Sequence, residues 1–95
     1  MLLPAKPHFR FGRVLMTPGA IEALQENCPS PWCFLIRHMT GDWGDLDAEV
    51  KRLNDEAVKN GSRILSSYTV SNGAKVWVIT EADRSSTTIL LPDEY

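Results

Sequence analysis

Cysteine and histidine, the usual protein ligands of zinc, are scarce in this sequence of 95 residues, which holds two of each. Cys28 and Cys33 are separated by four residues, no second cysteine pair follows, and His8 and His38 do not lie at a ligand spacing to each other. Zinc sites usually combine a close cysteine pair with a second pair or with histidines. We therefore expect no metal and no cofactor. Two reduced cysteines, at least one of them packed in the core, are expected, and a redox role for them stays open.

Long apolar runs are also missing. The longest apolar stretch near the middle, residues 32–36, is far too short to span a bilayer. The first four residues, MLLP, are not a basic segment followed by a long apolar run, so no secretory signal is predicted. We expect a cytoplasmic protein without a membrane partner.

Repeats, low-complexity tracts and blocks of like charge are absent as well, which argues against disorder. A chain of this length forms one domain with one core. Residues 1–10 hold two prolines and little periodicity, and we interpret them as a flexible N-terminal arm. Residues 11–95 then form the single domain.

An excess of basic charge is missing too. The formal net charge is −2, whereas a duplex-binding domain usually shows a basic face, so a nucleic-acid partner is disfavoured. The first third of the chain is mildly basic and the middle is acidic. This acidic charge is nevertheless too sparse for a surface that mimics DNA.

The segment before residue 61 predicts three helices. Thr17 as the N-cap and Pro18 at the first helical position begin the first helix, which ends before Pro29 and has Ile21 and Leu24 on its inner face. A second, short helix covers residues 32–39, and its apolar stripe is Trp32, Leu35, Ile36 and Met39.

The third helix has the clearest pattern. Asp45 is its predicted cap, and Gly61 ends it in the left-handed conformation. Its apolar residues are spaced four, three and four positions apart. They are Leu46, Val50, Leu53 and Ala57.

After Gly61 the apolar period changes to two, which predicts strands over residues 64–70, 75–81 and 87–91. Asn72-Gly73 is a strong signal for a type I′ hairpin turn, and residues 82–85 form a second turn. Connections this short require antiparallel neighbours. The predicted fold class is therefore α+β, with a three-stranded antiparallel meander over about residues 63–91 covered by three helices.

Two further elements complete the prediction. Residues 11–16 are rich in strand formers, so a short N-terminal strand can join the sheet. The middle strand is apolar on both faces, with Val76 and Val78 on one and Trp77 and Ile79 on the other. Helices are expected to cover one face. The N-terminal arm or a second copy of the protein is expected to shield the other.

Residues 37–45 (RHMTGDWGD), 63–68 (RILSSY) and 76–92 (VWVITEADRSSTTILLP) carry a resemblance to known proteins. They are similar to a family of small bacterial proteins often found on plasmids and genomic islands, and the resemblance covers roughly residues 12–95. It implies a mobile-element setting and no agreed activity. Some members are labelled as a methyltransferase subunit of a type I restriction system. This chain lacks a Gly-rich loop for the methyl donor and an Asn-Pro-Pro-Tyr motif, so we set that label aside.

His38, Asp42 and Asp45 form the first candidate catalytic group. A histidine one turn before an acidic loop can act as a general base that a carboxylate orients. The same residues also have structural interpretations. In these, His38 caps the end of the second helix, Asp42 holds an Asx turn and Asp45 caps the third helix.

Glu81, Asp83 and Arg84, at the tip of the second hairpin, form the other candidate group. Paired carboxylates beside an arginine can bind a metal or stabilise an anion. Charged residues also mark ordinary exposed turns, and an Asp–Arg pair there contributes little stability.

Trp43 and Trp77 are the candidate partner-binding residues, since tryptophan is enriched at binding hot spots. Trp43 lies in a loop between two glycines and two aspartates, where no periodicity requires it in a core. It can plug the core from the loop or remain exposed as an anchor.

Two functions follow from these features. The first is an interaction or regulatory protein, with a homodimer as one form, that binds a protein partner of the host or of the same mobile element. The alternative is a small, toxin-like hydrolase or ribonuclease in which His38 is the base, Asp42 or Asp45 orients it, and Arg84 holds phosphate. The absence of a recognised catalytic motif favours the first and leaves the chain without an assigned reaction.

Overall fold

The fold consists of a four-stranded sheet and three helices, seen in a computed structural model that describes residues 7–27, 30–71 and 73–95. Seven main elements follow along the described part of the chain, and a short 3₁₀ helix (Pro92–Glu94) comes after the last of them. They are β1 (Arg13–Met16), α1 (Pro18–Asn27), α2 (Trp32–Met39), α3 (Ala48–Asn60), β2 (Ile64–Thr69), β3 (Lys75–Thr80) and β4 (Ser86–Leu90).

The strand order in the sheet is β1-β4-β3-β2. The antiparallel pairings of β2 with β3 and of β3 with β4 confirm the predicted meander. β1 lies parallel to β4, with Arg13 opposite Ser86. The predicted N-terminal strand is therefore confirmed, whereas the purely antiparallel, three-stranded sheet is wrong in detail, because β1 makes the sheet four-stranded and mixed. Turn residues in the sequence identify strands that are joined by a short loop and therefore pair. β1 and β4 are separated by most of the chain, so no such signal connects them.

The first hairpin turn differs from the predicted two-residue type I′ turn. The amide of Gly73 donates to the carbonyl of Val70 at 2.9 Å, and the amide of Val70 donates to the carbonyl of Ala74 at 2.9 Å. The connection between these paired residues is therefore three residues long, with Gly73 at a positive φ of 89°. Asn72, on which the prediction also depended, lies outside the described residues.

The helix ends follow the sequence signals with one correction. The hydroxyl of Thr17 accepts a bond from the amide of Ala20 at 3.2 Å, as expected of an N-cap. Gly61 ends α3 with a φ of 78°. The cap of α3 is Asp47, whose side chain accepts from the amide of Val50 at 2.9 Å, and the prediction of Asp45 is wrong. Asp45 and Asp47 lie on either side of Leu46, the first residue of the predicted stripe, so spacing alone did not separate them.

The predicted apolar stripes are right in part, since Leu24, Leu35, Met39 and Ala57 are buried as expected. Ile21, Trp32 and Leu53 were expected inside, but they are exposed by 42%, 40% and 49%. Other side chains from the same helices are buried in their place: Ala20 on α1, Phe34 and His38 on α2, and Asn54 on α3. Two of the buried side chains are polar, and both bond to polar groups of the sheet strands. A pattern based on apolar residues alone therefore misses the polar members of a buried helix face.

All three helices pack on one side of the sheet or along its β2 edge. The main core joins α1 and α2 to Val76, Val78 and Ile89. A smaller cluster under α3 contains Trp43, Ala57 and Ile64. Among the described residues, none of the three α-helices lies on the opposite side of the sheet.

Residues 7–10 of the predicted arm lie against the domain, on the helix side. The amide of His8 donates to the carbonyl of Met39 at 2.8 Å. The ring of Phe9 stacks on Trp43, with 6.2 Å between the ring centroids. This described part of the arm therefore does not shield Trp77, which faces the other side of the sheet.

The outer edge of β2 is covered. The side chain of Asn54 donates to the carbonyl of Leu65 at 2.6 Å and accepts from its amide at 3.2 Å, so it replaces a neighbouring strand at that residue. Two loop residues next to Gly44 bond in the same way to both backbone groups of Ser67. A Cβ atom on Gly44 would lie 2.0 Å from the carbonyl oxygen of Ser67, so this close approach requires glycine.

Candidate functional site

His38 sits at the centre of a buried chain of hydrogen bonds that crosses the sheet. Its Nδ1 is 2.5 Å from the hydroxyl of Ser66 and its Nε2 is 2.9 Å from that of Thr80. The Thr80 hydroxyl lies 2.7 Å from that of Thr87, which donates to the carbonyl of Phe11 at 2.7 Å. The side chains of His38, Ser66, Thr80 and Thr87 are all fully buried. They come from α2, β2, β3 and β4, so the network joins the helix layer to three strands.

The direction of each bond follows from its last member. Because a carbonyl only accepts, Thr87 donates to Phe11, and Thr80 must therefore donate to Thr87. Thr80 then accepts from His38, which places the ring proton on Nε2 and leaves Nδ1 to accept from Ser66. Burial, with a smaller contribution from the charge of Arg84, lowers the pKa of His38 to about 3. The imidazole is therefore neutral, and both of its nitrogens are occupied.

The carboxylates expected to orient His38 have other partners. Asp42 pairs with Arg37 at 2.7 Å and accepts from the amide of Gly44 at 3.2 Å, the Asx turn of the structural interpretation. The bond from Arg37 lowers the pKa of Asp42. Asp45 accepts from the hydroxyl of Thr69 at 2.5 Å, a bond that lowers its pKa. His38 bonds to hydroxyls, so the proposed histidine–carboxylate pair is wrong, as is the role of His38 as a helix-end cap.

Arg84 holds the end of α3 together with the β3–β4 turn. Its guanidinium donates to the carbonyls of Ser62 at 2.7 Å and Ala57 at 2.9 Å. A third bond, to the carbonyl of Glu81, measures 3.2 Å. A cation is favourable at a helix C-terminus, where carbonyl groups lack helical partners. These bonds direct the guanidinium into the protein's own backbone, so the predicted phosphate-holding role has no geometric support.

The two acids of the same hairpin tip do not converge on Arg84. The carboxylate of Glu81 lies 3.8 Å from the guanidinium of Arg63, and both side chains are about half exposed. Asp83 accepts from the amide of Ser85 at 2.9 Å, which closes the turn. Within the part of the chain that the structure describes, the predicted Glu81, Asp83 and Arg84 cluster is thus a turn and not an anion site.

Replacing Arg84 with alanine should lower the free energy of unfolding by about 2 kcal/mol, because bonds from a charged donor to three carbonyls are lost, two of them partly buried. Urea denaturation measures this. Arg52→Ala is the matched control, since Arg52 bonds only to exposed acids on its own helix. Its expected loss is under about 1 kcal/mol. Equal losses for the two variants would remove the role assigned to Arg84.

Trp43 is part of the core and is unavailable to a partner. Its side chain is 3% exposed, and its indole nitrogen donates to Asp55 at 2.9 Å. Its ring packs against those of Phe9 and His38. The prediction that Trp43 binds a partner is therefore wrong, and the alternative that it plugs the core from its loop is confirmed.

Trp77 belongs to the side of the sheet that the helices leave uncovered. Successive residues of a strand point to opposite faces, and the strand registers place five apolar side chains on this side. We call this set the open face: Leu15, Leu65, Trp77, Ile79 and Leu90. Leu15 is 40% exposed, Leu65 and Trp77 are half-buried, and Ile79 and Leu90 are buried.

Tyr95 is the one described aromatic residue that reaches the open face from outside the sheet. Its ring meets that of Trp77 edge-on, with 5.8 Å between centroids. The guanidinium of Arg63 lies over the Tyr95 ring at 4.9 Å and donates to its hydroxyl. Together with Leu65 and Ile79, these side chains line a groove of about 350 Å³. The sequence identified Trp77 but gave no signal for Arg63 or Tyr95, which reach the groove only through the tertiary fold.

The thiol of Cys33 is exposed and donates to the carbonyl of Ser30 at 2.9 Å. The expectation that one cysteine packs in the core therefore does not hold for Cys33. Cys28 lies outside the described residues, so the redox question stays open.

Comparison of the chain with models of protein families, with curated proteins and with solved structures gives no match. The residues that the structure describes contain no group of three or more histidine, cysteine, aspartate or glutamate side chains arranged to hold a metal ion. Among the helices of the described ranges, none combines the length and apolar character needed to cross a membrane.

Proposed function

We propose that this chain is an interaction or regulatory protein and that it binds another protein through the open face. The observation that carries the proposal is the one-sided arrangement of the α-helices: among the described residues, none of them covers the side of the sheet that holds Leu15, Leu65 and Trp77. An apolar sheet face normally packs against a second layer of structure. A partner that supplies this layer would remove the remaining apolar surface from water.

The groove favours a partner with one apolar anchor side chain. Binding sites commonly combine apolar walls with a few polar groups, and tryptophan residues often dominate binding energies. Trp77 and Tyr95 supply aromatic walls here, and Arg63 supplies a cation. Arg13 lies on the same side of the sheet and has no acidic partner among the described residues. The positive charge of Arg13 suits a carboxylate at the rim of the partner's surface.

The proposed setting is the cytoplasm of a bacterium that carries a plasmid or genomic island, in keeping with the resemblance of residues 12–95. Proteins of such elements that act together are often encoded side by side. The products of the adjacent genes are therefore the first partners to test. An enzymatic role has weaker support, because the lone pair of His38 is occupied by Ser66 and Arg84 is bonded to backbone carbonyls.

Replacing Trp77 with arginine should weaken partner binding on the order of thirty-fold, since a tryptophan hot spot typically contributes about 2 kcal/mol or more. Tagged wild-type and variant chains would be presented at equal density to the purified products of the adjacent genes and to host lysate. Captured proteins would be quantified by mass spectrometry. The affinity of each purified partner would then be measured.

Leu53→Lys is the matched control, because Leu53 is a 49% exposed apolar residue on α3, away from the open face. A partner of the open face should bind wild type and Leu53→Lys equally. Far-UV circular dichroism would confirm that each variant is folded. If Trp77→Arg captured the same proteins in the same amounts as wild type, the open face would not be the binding surface.

A further inference from the structure

The two edge strands of the sheet differ in how their outer backbone groups are bonded. Asn54 and the loop around Gly44 occupy the outer backbone groups of β2 at Leu65 and Ser67. β1 forms the other edge. Natural proteins usually cover or disrupt an edge strand, because its unpaired amides and carbonyls can bind another chain.

The hydrogen bonds to β4 determine which groups of β1 face outward. The amides of Arg13 and Thr17 donate to the carbonyls of Ser85 and Ile89, both at 3.0 Å. Alternate residues of a strand bond to opposite neighbours, so the backbone groups of Val14 and the amide of Met16 point away from β4. Among the described residues, none bonds to these outward groups.

Apolar side chains accompany this edge. Val14 and Leu15, both on β1, are exposed by 38% and 40%. Val14 lies on the helix side of the sheet and Leu15 on the open face, so both sides of the edge carry exposed apolar surface. Residues 13–16 contain no proline, lysine or acidic residue that would discourage pairing.

We propose that a second copy of this chain pairs with β1 in antiparallel orientation, about a two-fold axis that passes between the two copies of Val14. The two Val14 residues then exchange both of their outward backbone hydrogen bonds, as a hydrogen-bonded antiparallel pair does. The two-fold axis makes the contact close on itself, so that it forms a dimer and not a fibre.

The side chains of β1 are compatible with this register. Each Arg13 lies opposite Leu15 of the second copy, so no like charges are directly opposed. The aliphatic part of the arginine can cover the leucine. The two Val14 side chains meet on the helix side. A partner of different sequence would need its own matching strand, whereas a second copy supplies this one.

This pairing would join the sheets of two copies into one sheet of eight strands. Both open faces would then lie on the same side of that sheet and form one continuous surface. The inference goes beyond the proposed function and does not depend on it, because it concerns the edge of the sheet.

Sedimentation equilibrium, from about 1 µM to about 1 mM, tests the proposal, since contacts under about 1,200 Å² are typically weak. Wild type should change from monomer to dimer within this range. Val14→Pro should remain a monomer, because proline removes an outward amide and is tolerated at the edge of a sheet. Val14→Lys should also remain a monomer, and it replaces Val14→Pro in the test if the proline variant does not fold.

Val14→Thr is the matched control, because it keeps the amide and the β-branched side chain, and it should dimerise as wild type does. Hydrogen exchange adds a second measurement: protection of the Val14 amide should increase with protein concentration. The proposal would be overturned by a wild-type protein that stays monomeric up to about 1 mM. A dimer that survives in folded Val14→Pro or Val14→Lys, or one lost in Trp77→Arg instead, would also overturn it.

Discussion

Replacing His38 with alanine is expected to lower the free energy of unfolding by about 3–5 kcal/mol. The ring is fully buried between α2 and the sheet, so its removal leaves a cavity. Ser66 also loses the acceptor for its hydroxyl, and Thr80 loses the donor that it accepts from. Urea denaturation followed by tryptophan fluorescence measures the loss.

His8→Ala is the matched control, because His8 is the other histidine and its side chain is exposed. It should change the free energy of unfolding by less than about 0.5 kcal/mol. His38→Gln, whose amide offers one acceptor and two donors, should recover part of the loss. A loss under about 1 kcal/mol in His38→Ala would contradict the buried network.

Acidification from pH 7 to pH 5 is expected to lower the free energy of unfolding by about 2 kcal/mol through His38 alone. Burial lowers the pKa of His38 to about 3 in the folded state, against an ordinary value of 6.5. Below pH 6.5 the unfolded chain therefore binds a proton that the native protein does not. The contribution of His38 to the free energy of unfolding is complete above that pH and is lost as the pH falls towards 3.

The chosen window separates His38 from the carboxylates. Asp42 has a lowered pKa because Arg37 bonds to it, and such groups also destabilise the fold as the pH falls. Their effect begins below about pH 5, where carboxyl groups of the unfolded chain start to bind protons. Urea denaturation at several pH values should give a shallower slope for His38→Gln than for wild type between pH 7 and pH 5. Equal slopes would show that His38 does not carry the effect.

The sequence predicted those parts of the fold that depend on local signals. The change of apolar period after Gly61 located β2, β3 and β4, and Thr17-Pro18 located the start of α1. It could not predict that β1 pairs with β4 in parallel, because no short connection joins them. It also could not predict that α3 meets the edge of β2. There a buried asparagine side chain bonds to the backbone of the strand, which a leucine side chain cannot do.

The candidate catalytic residues show a different limit. His38, Asp42 and Arg84 are chemically versatile, and the sequence offered no way to see their partners. A signal for His38 was nevertheless present, since Phe34 and His38 are four positions apart on α2 and share its buried face. A histidine on such a face is usually a neutral member of the core, with its nitrogens bonded to nearby hydroxyls. Trp77 was found because alternation placed it opposite Val76 and Val78 on β3.

The parallel pairing of β1 with β4 has a consequence for how the chain folds during synthesis. β1 leaves the ribosome before the other described strands, yet its neighbour β4 is translated last. The bond from Thr17, beside the start of α1, to Glu94 likewise joins residues 77 positions apart. Contacts between such distant residues form slowly. The nascent chain therefore holds β1 without a neighbour until residues 86–94 are synthesised, and the hairpin of β2 and β3 precedes closure of the sheet.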